Sequence, residues 1–283
     1  MISIIICSRL SKINNELFQN IEETVGCPYE CIIVNNLENK YSIFEAYNFG
    51  ISKSKGDFLC FIHDDILIHT LDWGIVIKNI FKKDHQIGLI GVAGSKIKTK
   101  IPSPWWNCPE DQKVVNILQH YPDKDKVKMI SGFQNNLDTE VVVIDGVFMV
   151  MRKDNRIQFD RTMTGFHNYD LNVSFECKKH GYKVIVTKQI FIEHYSTGKL
   201  SSEWIKSVYR IHKKYKDILP LKSKLRNVEK STEIANAINF IEECIKYKTY
   251  GIAFLTWGKL FCLYPNFKWQ LKFLEKTLKQ HLC

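Results

Sequence analysis

Along the first hundred positions, apolar residues alternate between two rhythms. Ile2 to Cys7, Cys31 to Val34 and Phe58 to Ile62 are short continuous apolar runs. Between them, Leu17, Phe18, Ile21 and Val25, then Ile43, Ala46, Tyr47 and Ile51, recur at helical spacing. Short β-branched or aromatic runs bounded by turn residues mark strands buried on both faces, and the three-to-four spacing marks amphipathic helices. Strand, helix, strand, helix, strand predicts right-handed crossovers and an α/β fold around a parallel sheet. An antiparallel sandwich would need turn signals where these helices fall.

The pattern continues with a helix from Trp73 to Phe81 and a strand from Ile87 to Val92 that runs into Gly91-Val92-Ala93-Gly94. The next hundred positions are less regular. Ile101 to Glu110, with three prolines and Trp105-Trp106, reads as a loop, and Glu140 to Met151 holds two strand-like runs about Asp145-Gly146. Leu171 to His180 is helical and stops at Gly181, where a helix C-terminus favours glycine. Val184 to Val186 and Phe191-Ile192 read as strands. From about Ser201 the chain turns to helices rich in Lys and aromatic residues, punctuated by Leu219-Pro220 and Tyr264-Pro265. Ile234, Ala237, Ile238, Ile241 and Ile245 form a core-facing stripe there. The expected organisation is an α/β unit over 1–200 and a helical C-terminal extension over 201–283.

Composition narrows the partners. With 283 residues, 45% of them apolar, the chain can bury a sizeable core. A formal charge of +10 favours anionic partners: nucleotides, nucleic acid or acidic membrane surfaces. No nucleic-acid motif accompanies the charge, so a nucleic-acid partner is not expected. Nine cysteines without CxxC pairs, several inside apparent core strands, suggest a reducing, cytoplasmic setting. Met1 to Cys7 lacks the features of a signal peptide, and no segment reaches the ~18 apolar residues of a membrane span.

The candidate chemistry sits where Phe58 to Ile62 runs into His63-Asp64-Asp65. Open α/β sheets bind ligands at the carboxyl ends of their strands. Divalent Mg or Mn takes oxygen ligands and bridges carboxylates to substrate phosphates, which suits a nucleotide-diphosphate substrate. The alternative is a merely polar strand end. Neither GxGxxG after the first strand nor a Walker loop is present, so a cation is the better candidate for neutralising phosphate.

In order, Ile2 to Arg9, Val34-Asn35-Asn36, Ala46-Tyr47-Asn48-Phe49-Gly50, Gly56-Asp57 with Phe61-Ile62-His63-Asp64-Asp65, and Gly91-Val92-Ala93-Gly94 resemble the GT-A glycosyltransferases. Within these the chain resembles the large inverting family that uses nucleotide-diphosphate sugars, over about the first 200 residues. The resemblance implies a mixed, mainly parallel sheet flanked by helices. It places Asp65 at the second, metal-binding carboxylate of the family's D-x-D, with His63 replacing the first. Asp64 or His194 is expected to assist Asp65 in holding the metal, and His63 or Asp64 to contact ribose or a metal-bound water. Gly165-Phe166-His167-Asn168-Tyr169-Asp170-Leu171 resembles the acidic motif beside the acceptor, with His167 near it, Tyr169 in place of an acidic residue and Asp170 as general base. An inverting transfer needs one such base within reach of the acceptor hydroxyl. Helix capping by Asp170 is the other reading, and the two are compatible.

His194, after a strand pattern, matches the family's late histidine, which completes the metal sphere or touches diphosphate; a structural role is equally open. Ser8, Arg9, Asn35, Asn36 and Asn48 match the positions that hold base and ribose, although Asn35 stands where an acidic residue is usual. They read equally as turn residues, and Asn48 as a loop brace. Trp105 and Trp106 offer an aromatic platform for a sugar or acceptor if exposed, and otherwise bury themselves. Gly146 brings backbone near the donor sugar or serves a turn. Gly251 to Lys279 mixes aromatics, among them Phe267, Trp269 and Phe273, with lysines. Helix packing is the preferred reading, and peripheral contact with an anionic membrane at the inner face the alternative.

The expected protein is a Mn- or Mg-dependent inverting glycosyltransferase moving sugar from a nucleotide-diphosphate donor to a glycan or lipid-linked acceptor. Two other readings are a nucleotidyltransferase making a nucleotide sugar and a non-catalytic sugar-nucleotide or glycan-binding subunit. The first would normally carry a glycine-rich basic loop after the first strand, which Ser8-Arg9-Leu10 does not resemble.

Overall fold

The computed structural model describes residues 1–9, 14–122, 124–198, 200–223, 228–266, 270–272 and 275. The chain opens with β1 (Ile2–Ser8), α1 (Asn15–Thr24), β2 (Tyr29–Asn35), α2 (Ile43–Lys53), β3 (Phe58–Ile62), β4 (Ile66–Ile68) and α3 (Trp73–Lys83). It continues through β5 (Ile87–Gly91), β6 (Ala93–Ser95), β7 (Ile97–Lys98), β8 (Lys113–Tyr121), β9 (Lys124–Ser131), β10 (Asp138–Val141), β11 (Val143–Ile144) and β12 (Phe148–Arg152). After α4 (Tyr169–Lys179), β13 (Lys183–Thr187) and β14 (Ile192–His194) come α5 (Ser202–Lys214), β15 (Leu221–Lys222), α6 (Lys230–Lys246) and α7 (Tyr250–Leu263).

The main sheet has the order β10-β13-β5-β12-β3-β1-β2, in which β10 and β12 run against the other strands. It is the mixed, mainly parallel sheet expected. β1 is apolar on both faces because both are covered: Ile2, Ile4, Ile5 and Ile6 are fully buried, split between two core clusters. Local chemistry places the helices. Asn14 caps α1, and Ser42 with Glu45 forms a capping box at α2.

A second sheet, in the order β11-β6-β8-β14-β4 with β9 on β8, crosses the carboxyl end of the first. It accounts for most of what the irregular middle of the sequence conceals. β9 is exposed along its whole length, so its Lys-rich sequence carries no burial pattern. The two runs expected in Glu140 to Met151 are three strands, because Val142 and the turn at Asp145 divide the chain between two sheets. β12 enters between β3 and β5 with Phe148 opposite Ile62, which brings the Asp145–Val147 turn beside the end of β3.

The C-terminal helices share a core cluster with the sheet. Ile205, Val208 and Ile211 of α5, Ala237 and Ile241 of α6, and Leu260 of α7 are buried in the same cluster as Phe61 and Phe175. Leu221 and Lys222 pair with Lys98 and Ile97, and the Glu233 carboxylate accepts from the backbone N–H groups of Lys100 and Ile101 at 2.6 and 3.0 Å. Trp257, Leu263 and Tyr264 pack against the core, whereas Phe254 and Phe261 are exposed. Phe267, Trp269 and Phe273 lie outside the described residues, as does Leu10. Among the described residues no helix is long and apolar enough to cross a membrane.

Phe61 is fully buried with its ring 4.8 Å from Tyr47 and 5.1 Å from Phe159. Phe61→Ala is expected to lower unfolding stability by about 3–5 kcal/mol in urea titration, the range for emptying an aromatic site that cannot collapse.

Candidate active site

Three chain segments meet at the carboxyl end of β3. His63, Asp64 and Asp65 follow that strand directly and lead into β4, which pairs antiparallel with β14 so that His194 lies opposite Ile66. The Tyr195 N–H donates to the Asp65 carbonyl at 3.0 Å, continuing the pairing past the strand end. Register therefore sets His194 beside Asp65 although the two are far apart in sequence. Asp65 Oδ1 is 3.8 Å from His63 Nδ1 and 3.5 Å from His194 Nε2, and one ligand atom from each residue falls within 4.8 Å of the others.

Asp65 Oδ1 and His194 Nε2 are buried and carry no hydrogen bond. Buried polar atoms are almost always satisfied, so two lone-pair atoms facing each other without hydrogen bonds suit a shared cation. Two imidazoles and a carboxylate form a donor set suited to Mn and neighbouring transition metals rather than to Mg. Burial, assisted by His194, pushes the His63 imidazole below its ordinary value and so favours the neutral, ligating form. Burial raises the Asp65 carboxyl, but His194, Ser196 and His63 outweigh it and hold the group below the usual carboxylate range.

Each imidazole is held from its far side. The Tyr169 hydroxyl lies 2.5 Å from His63 Nε2, and Gln119 Oε1 lies 3.0 Å from His194 Nδ1. The Gln119 amide nitrogen donates to the carbonyls of His120 and Ser196, both at 2.8 Å, so its oxygen must face His194. That oxygen accepts the Nδ1 proton and leaves the Nε2 lone pair turned toward Asp65.

Asp170 stands in the first turn of α4, whose N-cap Asn168 has a left-handed backbone and makes no side-chain cap. The Leu171 N–H donates to the Asp170 carboxylate at 2.8 Å. Burial and the charge of Asp145 push its pKa up to about 7, against the backbone N–H groups of Leu171, Asp170 and Gly146. Asp145 itself is engaged: it accepts from Trp105 Nε1 at 2.6 Å and from the Val147 N–H at 2.8 Å. Gly146 is required by contact, since a Cβ there would stand 2.4 Å from the Tyr169 hydroxyl oxygen. Tyr169 thus touches His63 and Gly146 while its chain neighbour is Asp170, tying the His63, Asp65 and His194 cluster to the carboxyl of about pKa 7.

The remaining candidates separate by what their side chains touch. Ser8 donates to Asp64 at 2.6 Å, which holds Asp64 out of the His63, Asp65 and His194 group. Arg9, Asp64, Asp65 and Tyr195 line an open cavity of about 630 Å³ beside β1 and α1. Asn35 accepts from the Leu37 N–H. Asn36 brackets the backbone of Tyr41, and Asn48 that of Phe159, each using both ends of its amide, so both shape loops. Trp105 is half-buried and Trp106 is 41% exposed. The His167 carbonyl accepts from the Ser207 hydroxyl of α5, and burial lowers its imidazole pKa. Sequence reasoning missed Gln119 and a positive role for Tyr169. The apolar run Val114-Val115 and Ile117-Leu118 could have shown a strand at Gln119.

Two measurements check this geometry. Gln119→Leu is expected to weaken binding of Mn2+ about 10–100-fold in isothermal titration, the usual effect of losing a hydrogen bond behind a ligating histidine. Asp170 binds its proton more tightly folded than unfolded, so its contribution to stability is complete below pH ~4 and is lost as pH rises through about 7. Asp170→Asn is therefore expected to raise the melting temperature at pH ~8, with the gain vanishing near pH ~4.

Residues 3–216 match the model of the glycosyltransferase-like family. The structure of GalNAc-T7 with UDP, GalNAc and Mn2+ is similar with a TM-score of 0.52 at 11% identity, covering 76% of this chain and 49% of that one, so the chain spans about half its length. The structure of S. aureus TarS 1-349 in complex with UDP-GlcNAc is similar with a TM-score of 0.50 at 11% identity, covering 99% of this chain and 81% of that one. At such identities the likeness is one of fold. No curated protein sequence matches the chain. The family match, spanning the parallel strands, the acidic tip and α4, assigns this chain to the glycosyltransferase-like family, on a GT-A-type fold.

Proposed function

We propose that the protein is a metal-dependent inverting glycosyltransferase that moves a sugar from a nucleotide-diphosphate donor to an acceptor hydroxyl on a glycan or lipid-linked glycan. The observation that carries this reading is the convergence of His63, Asp65 and His194 at the carboxyl end of β3 in a chain of this family. The UDP sugar of the TarS complex, and the UDP and Mn2+ bound to GalNAc-T7, support a sugar nucleotide and Mn as the first pair to test.

His63, Asp65 and His194 would hold the metal, with Mn favoured over Mg by the two imidazoles. A divalent metal bound there supplies positive charge that stabilises the departing nucleoside diphosphate. Arg9 adds a fixed cation to the adjoining cavity, where the donor's phosphates are expected. Asp170 takes the proton of the acceptor hydroxyl as that oxygen attacks the anomeric carbon. A carboxyl near pKa 7 is well matched to that transfer at neutral pH. The described cysteines are all free, in keeping with a reducing cytoplasmic setting.

Asp170→Asn is expected to lower turnover by at least about a hundredfold while UDP-sugar binding with Mn2+, read by thermal shift, stays near wild type. Unchanged turnover would remove Asp170 from the base role. Donor binding that is indifferent to Mn2+ would remove the metal.

A further inference from the structure

Away from the Arg9 cavity, the loop holding Trp106 forms a groove against α6. Two concavities of about 240 and 460 Å³ lie along it and share Trp106, Asn107 and Asn239 as a common wall. Together they fall in the ~300–1,000 Å³ range of small-ligand sites. Trp106 is 41% exposed, yet its loop is braced at many points. The buried ammonium of Lys98 donates to the carbonyls of Ser103 and Pro104, Asn236 donates to Thr99 and to the Asn107 carbonyl, and Trp105 is bonded to Asp145. An indole left partly in water on a rigid loop is a preorganised flat surface.

The lining decides the ligand class. Amides from Asn107 and Asn239 line both concavities with the indole, while Glu242, Glu243, Leu200 and Phe240 line one and Lys113 the other, so polar groups sit beside apolar surface. Glu243 Oε2 is buried without a hydrogen bond and is ion-paired with Lys246 Nζ at 3.6 Å, which leaves it able to accept a donor. An acceptor-only oxygen beside an aromatic face asks for hydroxyl donors on a ring that can stack.

Neighbouring residues connect the walls of the groove to the base. Trp105, adjacent to Trp106, bonds Asp145, whose charge helps raise the Asp170 pKa. Trp204, in the cavity wall, lies on α5, which is tied to His167 through Ser207. The geometry points to an acceptor-saccharide groove with Trp106 as its platform, a sugar unit on either side and Glu243 accepting a sugar hydroxyl. This inference rests on the proposed sugar transfer for its biological meaning, but saccharide binding in the groove is testable without turnover.

The test is saturation-transfer NMR on the full chain with four probes in turn, the β-linked disaccharide of N-acetylglucosamine, cellobiose, maltose and lactose. UDP with Mn2+ is followed in parallel by thermal shift. At least one disaccharide is expected to bind wild type. Trp106→Ala should weaken it about tenfold or more, Trp106→Phe should keep most of the affinity, and the UDP shift should not change in either variant. Glu243→Gln should weaken the same disaccharide with the fold intact. Overturning results are no contact with any probe by a protein that binds UDP, or saccharide binding that survives Trp106→Ala. Saccharide binding without any UDP response would instead leave the groove standing and defeat the sugar-transfer reading.

Discussion

The antiparallel pairing of β4 with β14 is the constraint on which the rest of the site depends. It takes a chain that has just left the central sheet at Asp65 and lays it against a strand arriving from far along the sequence, so that His194 comes to rest beside a carboxylate it could not otherwise find. A slip of one residue would turn His194 to the opposite face, because side chains alternate along a strand. The pairing is secured at several levels. Ile66 and Ile68 of β4 and Ile192 of β14 bury in one core cluster, and β14 is itself held by β8.

From that pairing the electrostatics follow. An oxygen and a nitrogen are left buried and unbonded within a few ångströms of each other, and the surrounding structure hardens the arrangement instead of relieving it. Gln119 and Tyr169 use the far nitrogens of the two imidazoles, which leaves the near ones aimed at Asp65. Tyr169 does more than orient a ligand. It begins the helix that carries Asp170 and packs against Gly146, so the His63, Asp65 and His194 cluster and the Asp170 carboxyl share one joint, as the proposed metal site and base would require. Such fixed placement of charge and base is how enzymes avoid reorganising at the moment of reaction.

The sheet was legible wherever a strand is buried on both faces. β1, β3 and β5 announce themselves as apolar runs, and the acidic tip of β3 stands out because charge follows such a run directly. His194 was legible as a residue closing a strand, although nothing local identifies its neighbour. What the sequence conceals is mainly non-local. β9 is solvent-exposed and so bears no hydrophobic rhythm, and Gln119 matters only through a strand pairing that joins positions 75 residues apart. Asn36 and Asn48 show the converse, for polar residues at strand ends and loops look alike whether they face a ligand or hold backbone. Tyr169 reads in sequence as a departure from an acidic pattern, and His63 as another. Their hydroxyl-to-imidazole contact shows the two departures to be parts of one arrangement.

The account stands most directly on one measurement, anomalous diffraction from crystals soaked in Mn2+ and UDP. It predicts a single strong manganese peak bonded to His63 Nδ1, Asp65 and His194 Nε2, with the UDP diphosphate completing its coordination and the nucleoside extending toward Arg9. Manganese elsewhere, or UDP bound in order with no metal at these three residues, would contradict it.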